Sequence, residues 1–347
     1  MDAKQSGTAE VFDMFAVTLM ILSAVVGAGF ATGAELIAFF GTSALPPIAI
    51  AALVGVFLFC VMAALLFLRE NINKKIFAPI FFIFFAAMAA GVTELVGPAV
   101  SAVAVVTSVL VVWFGFEHML TANKVLMEFA LAVLLIVVLL NLGTAIPKTN
   151  LAPNVWTTAG FALLYAGMNC CVLPAIFAEA RKSFSRRELL VCIFAAAVVV
   201  SFFVLVILAA ISANKTAAGA PMPILALSDN FFVKFAVLVC ILTSMFATLF
   251  SLRQRDNAKQ NISQNTNQNT NKNSNQNIFR LSCIAALGYA CSFLGFKSVI
   301  GIFYPIVGAV MIGFIVFCFS RECFSRVRRR FRQCRSARVP AFPARED

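Results

Sequence analysis

The chain has 347 residues, of which 61% are hydrophobic and 12% charged, and its formal net charge is +12. This balance excludes an ordinary soluble domain, and recurring apolar runs long enough to cross a bilayer predict an all-α polytopic membrane protein. The basic residues lie in short loops and a tail beside apolar segments, as membrane topology requires, so the charge does not predict a nucleic-acid partner. Ten cysteines without a CxxC pair and a single histidine, His118, predict no metal centre and no cofactor.

Ten membrane spans are predicted from the apolar runs, and they divide into two halves of five. The first span is 13–40 and is broken at 27–33; the others are 44–68, 76–96, 98–116, 122–142, 157–178, 187–212, 229–252, 279–296 and 298–320. The predicted organisation is an N-terminal segment 1–12, a first half 13–142, a linker 143–156, a second half 157–320 and a basic tail 321–347.

Lysine and arginine predict the orientation of these spans in the membrane. With the N-terminus inside, 23 of the 27 lysines and arginines lie in cytoplasmic segments, and the remaining four are Lys148, Lys215, Lys234 and Lys297. This bias predicts that both termini are cytoplasmic and that the linker 143–156 is external. The tail, with nine arginines after residue 320, suits contact with anionic lipid head groups, although positive-inside retention explains it equally well.

A polar tract interrupts the second half between the eighth and ninth spans. Residues 257–277 are dominated by Asn and Gln, with Ser, Thr and Lys, and contain almost no apolar side chain. A segment of this composition cannot bury enough apolar surface to fold. We therefore predict a disordered cytoplasmic loop over 253–278.

The first span is broken by three glycines, a threonine and a carboxylate: Gly27, Gly29, Thr32, Gly33 and Glu35. Glycine costs about 1 kcal/mol relative to alanine within a helix. An interrupted membrane helix is tolerated only where protein or a water-filled cavity satisfies the freed backbone groups. The break therefore predicts a polar cavity near mid-membrane, and close helix packing through small residues is the alternative.

The sixth span carries a second break at Gly167, Asn169 and Pro174. Proline disfavours an unbroken helix, and an asparagine at this depth needs a partner or water; an ordinary proline kink is the alternative. Each broken span is the first of five spans in its half. Because five is an odd number, the second half starts from the opposite side of the membrane and has the opposite orientation. Paired interruptions of this kind indicate the binding site of a transporter with an inverted repeat.

The stretch Gly27-Ala28-Gly29-Phe30-Ala31-Thr32-Gly33-Ala34-Glu35 resembles the first-helix signature of YkvI-type bacterial membrane proteins, usually Gly-Ala-Gly-Phe-Ala-Ser-Gly-Gln-Glu. Leu164–Asn169 resembles the sixth helix of that family, and Tyr304–Gly308 resembles the tenth. The resemblance extends to about Ser320, although Ala34 replaces the usual glutamine and the Asn/Gln tract is an insertion. It implies the amino acid–polyamine–organocation superfamily, a LeuT-like 5+5 repeat with helices 1 and 6 unwound mid-membrane, and a bacterial inner-membrane location.

In such a fold, the half-helix that starts near Thr32 and Gly33 presents free amides and a positive dipole end to an anionic group, such as an amino-acid carboxylate. The substrate-binding residues that the resemblance implies are Gly27, Ala28, Gly29, Phe30, Thr32 and Gly33 in the first span and Tyr165, Gly167 and Asn169 in the sixth. Tyr304 is a candidate gate, or an aromatic residue at the membrane interface.

Two coupling ions stay open at this point. By resemblance, the carbonyls of Ser23 and Val26 share a sodium ion with the hydroxyls of Thr243 and Ser244 in the eighth span; otherwise these hydroxyls bond their own helix. Glu35 offers proton coupling, because a carboxylate in a low-dielectric site favours its neutral form. Its alternative is a carboxylate exposed to water near the outer face.

The sequence thus predicts a secondary active transporter of a small zwitterionic solute, an amino acid, that works by ion-coupled alternating access. No phosphate-binding loop is present, so the chain itself is not expected to use ATP. The alternative is a membrane sensor that keeps the ligand pocket and transports nothing. An enzyme is not expected, because no span contains a histidine or a clustered metal-binding motif.

Overall fold

The computed structural model describes residues 2–43, 45–68, 78–142, 154–263, 270–294 and 296–336, and the regular structure in these ranges is helical. The helices of the first half are α1 (Asp2–Val25), α2 (Ala28–Thr32), α3 (Ala34–Phe40), α4 (Pro47–Phe67), α5 (Ala78–Val96), α6 (Pro98–Phe114) and α7 (Phe116–Leu140). Those of the second half are α8 (Val155–Asn169), α9 (Leu173–Ala180), α10 (Arg186–Ala213), α11 (Lys215–Gly219), α12 (Pro223–Leu227), α13 (Phe231–Ser263), α14 (Thr270–Cys291) and, after a 3₁₀ turn at Ser292–Leu294, α15 (Phe296–Ser336).

Six helices in the described ranges are long and apolar enough to cross a membrane, or seven if the bent pair α8–α9 forms one span. The six lie within α4, α5, α7, α10, α13 and α15. Shorter apolar helices occupy Met14–Val25, Pro98–Phe114 and Phe279–Cys291. The structure thus confirms an all-helical polytopic protein, and a helix stands at each position where a span is predicted. The count of ten spans and the inverted repeat stay predictions.

Large apolar side chains cover the outside of the helix bundle. Val103, Ile136, Phe194 and Phe317 are each more than half exposed. On a soluble monomer such a surface would be an aggregation risk. On a membrane protein it is the surface that meets lipid, because hydrocarbon chains solvate apolar side chains as well as a protein core does.

Helix α13 is the centre of the bundle, where it packs against α1, α2, α5, α6 and α7. Its buried side chains include four hydroxyls, those of Thr243, Ser244, Thr248 and Ser251. Each of these hydroxyls donates to a carbonyl of its own helix. That local bond lets a polar side chain enter an apolar core without an unpaired donor.

The predicted disordered loop over 253–278 is wrong at both of its ends. Helix α13 continues to Ser263 and α14 begins at Thr270. Helix propagation adds one hydrogen bond per residue once a helix is nucleated, so a buried helix can extend into a polar sequence of poor intrinsic stability. Residues 264–269 lie outside the described ranges, as do 143–153 of the predicted linker and 337–347 of the predicted tail.

Candidate functional site

The first break consists of two interruptions separated by one short helix. Helix α1 ends at Val25, and Gly27 has extended backbone angles before α2 begins. Gly33 then separates α2 from α3 with a φ of 78°, a left-handed conformation that glycine adopts at little cost. The predicted break at 27–33 is therefore present, but residues 28–32 form a helical turn and are not unwound as expected.

The second break lies between α8 and α9. Helix α8 ends at Asn169, α9 begins at Leu173, and the two helices are bent by 54°. Pro174 lies in the first turn of α9, where its missing N–H would have no partner within the helix. The interruption predicted from Pro174 is thus confirmed as a broken helix and not a mild kink.

A buried cluster of carbonyl oxygens lies where α1 ends against α13. The Ser244 Oγ is 2.6 Å from the carbonyl oxygen of Ser23 and 2.8 Å from that of Val26. It also lies 3.0 Å from the carbonyl oxygen of Cys240, one turn back in its own helix. A hydroxyl carries a single proton and donates to one acceptor at a time. Four oxygen atoms, the Ser244 Oγ and the three carbonyl oxygens, therefore surround one hydrogen atom. Oxygen ligands of this type are the ones that sodium prefers.

Thr243, the other predicted ion ligand, points toward a different helix. Its hydroxyl donates to the Cys240 carbonyl at 3.0 Å and lies 3.9 Å from Sδ of Met127 in α7. Consecutive helical residues lie about 100° apart around the helix axis, so only one of this pair can face α1. The structure brings Ser244 to the carbonyls of Ser23 and Val26, whereas the partners of the Thr243 hydroxyl are Cys240 and Met127.

Asn123 in α7 joins this cluster and is absent from the sequence-based candidates. Its Nδ2 donates to the Ser23 hydroxyl at 2.9 Å, and that hydroxyl donates to the Met20 carbonyl at 2.8 Å. The Oδ1 of Asn123 is buried without a hydrogen-bond partner among the described residues. The signal in the sequence was a lone amide at the start of the predicted fifth span, where it was indistinguishable from a loop residue.

Glu35 in α3 lies folded back over the first break. Its residue is only 2% exposed, which makes the interpretation as a water-exposed carboxylate wrong. The carboxylate lies beside the backbone N–H of Phe30, and its Oε2 has no hydrogen-bond partner among the described residues. A Cβ atom on residue 29 would lie 2.2 Å from the Glu35 Cγ, so the carboxylate arm fills the space above Gly29.

A helix begins where the half-helix was expected, because α3 starts at Ala34 with Gly33 as its N-cap, and the short helix α2 precedes it. The Thr32 hydroxyl donates to the carbonyl of Ala28 at 2.8 Å and accepts from the Ala34 N–H at 3.4 Å. The amides expected to receive an anionic solute at Thr32 and Gly33 are thus part of the chain's own hydrogen bonding, since the Gly33 N–H also donates to Phe30.

The other candidates of the first span take part in packing. Gly27 faces Met88 of α5 and the Ser244 hydroxyl. Ala28 lies against Gly91 of α5, and Phe30 is completely buried. These residues line one side of the break and pack against α5 and α13.

Of the three candidates in the sixth span, Tyr165 reaches the first break. It is fully buried, and its ring lies edge-on to Phe39 at 5.4 Å and to Phe40 at 5.7 Å between centroids. Asn169 lies beside the Tyr165 hydroxyl, but no described group makes a hydrogen bond to that oxygen. The Asn169 Nδ2 donates instead to the Tyr165 carbonyl at 3.0 Å.

Gly167 does not line the site, contrary to the sequence-based expectation. A Cβ atom there would lie 2.8 Å from a side-chain carbon of Ile312 and 2.9 Å from the carbonyl oxygen of Gly308. Gly308 in turn faces the carbonyl of Leu164. Small residues on both helices let α8 and α15 approach closely, which is the packing role that glycine commonly has in membranes.

Tyr304 of α15 completes the aromatic surroundings of the carboxylate. It is buried, so the interpretation as an interfacial aromatic is wrong, and its ring lies 5.1 Å from that of Phe84. Both Tyr165 and Tyr304 lie within electrostatic range of Glu35. Residues of both breaks and of α15 therefore meet near one buried carboxylate.

Comparison with solved structures shows a related fold. The chain is similar, with a TM-score of 0.64 and 10% identity, to a structure described as the substrate-bound outward-open state of a Na⁺-coupled sialic acid symporter with a novel Na⁺ site. The match covers 88% of this chain and 78% of that one. No family model and no curated protein matches the sequence. The likeness shows that this helical, polytopic chain shares its fold with that structure.

Proposed function

We propose that the protein is a sodium-coupled secondary active transporter of a small zwitterionic solute, an amino acid. The observation that carries this proposal is the meeting of the Ser244 hydroxyl with the Ser23 and Val26 carbonyls, at 2.6 and 2.8 Å. These carbonyls belong to the last turn of α1 and the residue after it, where an interrupted helix leaves its final carbonyls without N–H partners. Helix ends of this kind coordinate sodium in transporters built on broken helices.

A five-plus-five inverted repeat is part of the proposal, and the helix contacts support it. If the first span corresponds to α8–α9, then α4, α5, α6 and α7 correspond to α10, α13, α14 and α15. Under this mapping the contacts occur in matched pairs. Helix α4 packs on α8 as α10 packs on α1, α6 packs on α13 as α14 packs on α5, and α7 packs on α1 as α15 packs on α8.

Ten spans in this arrangement leave both termini in the cytoplasm of a bacterial inner membrane, with the linker 143–156 outside. The lysine and arginine bias of 23 to 4 supports this orientation. The membership in the YkvI-type proteins is also part of the proposal, and it rests on the motif at residues 27–35. The basic tail then faces the anionic cytoplasmic leaflet.

In this mechanism, sodium acts by holding α1 against α13. A sodium ion bound to the carbonyl oxygens of Ser23 and Val26 takes the place of the Ser244 proton that these oxygens otherwise share. The packed arrangement of the two helices therefore gains stability. An ion that binds one arrangement more tightly shifts the population toward it. Solute binding at the neighbouring break is then favoured in the presence of sodium, and release of the ion on the other side lets the helices separate.

The test is uptake into proteoliposomes that contain the purified protein. A mixture of the twenty amino acids, radiolabelled, is offered under an inward sodium gradient, under an inward proton gradient, and under neither, with potassium as the replacement cation. We expect accumulation under the sodium gradient alone. Accumulation driven by the proton gradient, and lost in Glu35→Gln, would establish proton coupling instead. Sodium-dependent binding without any flux would establish the sensor alternative, which no contact in the described residues specifically favours.

A further inference from the structure

We propose that this site recognises an ammonium group, which binds to the carboxylate of Glu35 among the rings of Phe39, Phe40 and Tyr165. The inference rests on the proposed transport function and names the part of the solute that the transporter selects. It makes the cationic end of the solute essential and its carboxylate dispensable.

The first reason is that the chain already places a carboxyl group of its own at the break. The carboxylate of Glu35 lies beside the Phe30 N–H in the first turn of α2, and its side chain covers Gly29. A solute carboxylate placed there would have to displace Glu35 or lie next to it. Two carboxylates in a low-dielectric site repel each other strongly, so the break does not favour an anionic ligand.

The second reason is that the carboxylate is incompletely paired. Oε2 of Glu35 is buried and makes no hydrogen bond within the described ranges. No lysine, arginine or histidine of the described residues pairs with Glu35. A buried charge is expensive unless a partner of opposite charge and hydrogen-bonding capacity meets it. An ammonium ion supplies both, with a positive charge and up to three donors.

The third reason is the aromatic surroundings. Phe39 lies one helical turn after Glu35, and its ring and that of Phe40 pack edge-on against Tyr165 at 5.4 and 5.7 Å. The Tyr165 hydroxyl is a further acceptor without a partner among the described residues, within electrostatic range of Glu35. Aromatic faces attract ammonium ions, and clusters of aromatic rings are used to bind alkylammonium groups.

These three features favour a small primary or N-methylated ammonium as the ligand class. They also refine the expectation from the sequence, in which the amides near Thr32 and Gly33 receive the carboxylate of the solute. Amino acids still fit the site, since they carry an ammonium group, but simple amines fit it too.

The experiment compares three probes of similar size on the purified full-length protein: propylamine, butyrate and 2-aminobutyrate. Binding is measured by isothermal titration and by thermal shift in detergent at pH 7 with sodium chloride. We expect propylammonium and 2-aminobutyrate to bind, and butyrate to be at least about ten-fold weaker, because a charge-assisted hydrogen bond is lost.

Three variants show which residue is responsible. Glu35→Gln keeps the shape of the side chain and should weaken propylammonium binding about ten-fold or more. Tyr165→Leu removes the ring and the hydroxyl but keeps a hydrophobic side chain, and it should weaken propylammonium binding independently of Glu35. This second variant keeps the inference testable if Glu35→Gln does not fold. Glu94→Gln is the matched control, because Glu94 is exposed at the end of α5, and its affinity should equal that of the wild type.

Three outcomes would overturn the inference: butyrate binding as tightly as propylammonium, no binding of any ammonium probe, or unchanged affinity in both Glu35→Gln and Tyr165→Leu. The proposed function fails separately. Sodium-driven uptake that tolerates Glu35→Gln would overturn only the ammonium inference. Ammonium binding in detergent without sodium-driven uptake would overturn only the transport function.

Discussion

The side chain of Glu35 fills the space that a side chain on residue 29 would need, where the chain has Gly29. A Cβ atom on residue 29 would lie 2.2 Å from Cγ and 2.4 Å from Oε1 of Glu35. Real Cβ atoms do not approach other heavy atoms so closely. Residue 29 must therefore be glycine for Glu35 to fold back onto the Phe30 amide, and the two residues form one unit of the site.

This relationship predicts that, of two alanine substitutions in the same motif, one weakens binding and the other does not. Gly29→Ala should push the carboxylate away from the break and weaken binding of 2-aminobutyrate about ten-fold, the effect of losing a hydrogen bond to a charged group. Gly27→Ala is the control, because a Cβ atom there would lie 3.5 Å from Met88 and 3.8 Å from Ser244, which are ordinary contacts. Isothermal titration of both variants checks this. Equal losses in the two would mean that the motif serves helix packing alone.

Ser244→Ala should reduce the apparent sodium affinity of uptake about ten-fold, because it removes the hydroxyl that meets the carbonyls of Ser23 and Val26. Thr243→Ala should have a smaller effect, since the Thr243 hydroxyl faces Met127. Ser108→Ala is the control: its hydroxyl is buried and bonds only the Ala104 carbonyl of its own helix. The measurement is the sodium dependence of initial uptake rates in proteoliposomes. A larger effect of Thr243→Ala than of Ser244→Ala would contradict the arrangement of the ion site.

The close contact of α8 with α15 should make Gly308 sensitive to any side chain. A Cβ atom there would lie 2.2 Å from the backbone carbonyl oxygen of Leu164, so the helices must separate in Gly308→Ala, and overpacking of this kind costs about 1–3 kcal/mol. Gly313→Ala on the same helix has nothing within 4 Å and should be neutral. Thermal unfolding of both variants in detergent measures the difference. Equal melting temperatures would show that the two helices are not in this contact.

The orientation predicted from the basic residues can be tested by cysteine accessibility in intact cells. Asn265→Cys lies in the predicted cytoplasmic loop and should resist a membrane-impermeant maleimide until the cells are opened. Lys148→Cys lies in the predicted external linker and should react at once. Labelling is read against a parent without native cysteines. Reversed labelling of the two sites would overturn the proposed topology.

The sequence alone determined the class of protein and the positions of both breaks. A long apolar run identifies a membrane helix without any knowledge of which other segments it contacts. An all-helical polytopic fold therefore followed from composition. Pro174 interrupts a helix through its own covalent geometry, and the left-handed angle at Gly33 belongs to a residue with intrinsic freedom to adopt it. These features act within a few residues of the chain.

Only the tertiary structure decided what each residue at the breaks does. Gly29 and Gly167 look alike in the sequence, yet Gly29 accommodates the arm of Glu35 and Gly167 accommodates a neighbouring helix. Thr243 and Ser244 are adjacent, yet Ser244 alone meets α1. Asn123 joins the cluster from 100 residues away along the chain. The physical reason is that a side chain's role depends on which helix packs against its face, and that packing is set by contacts between segments far apart in sequence.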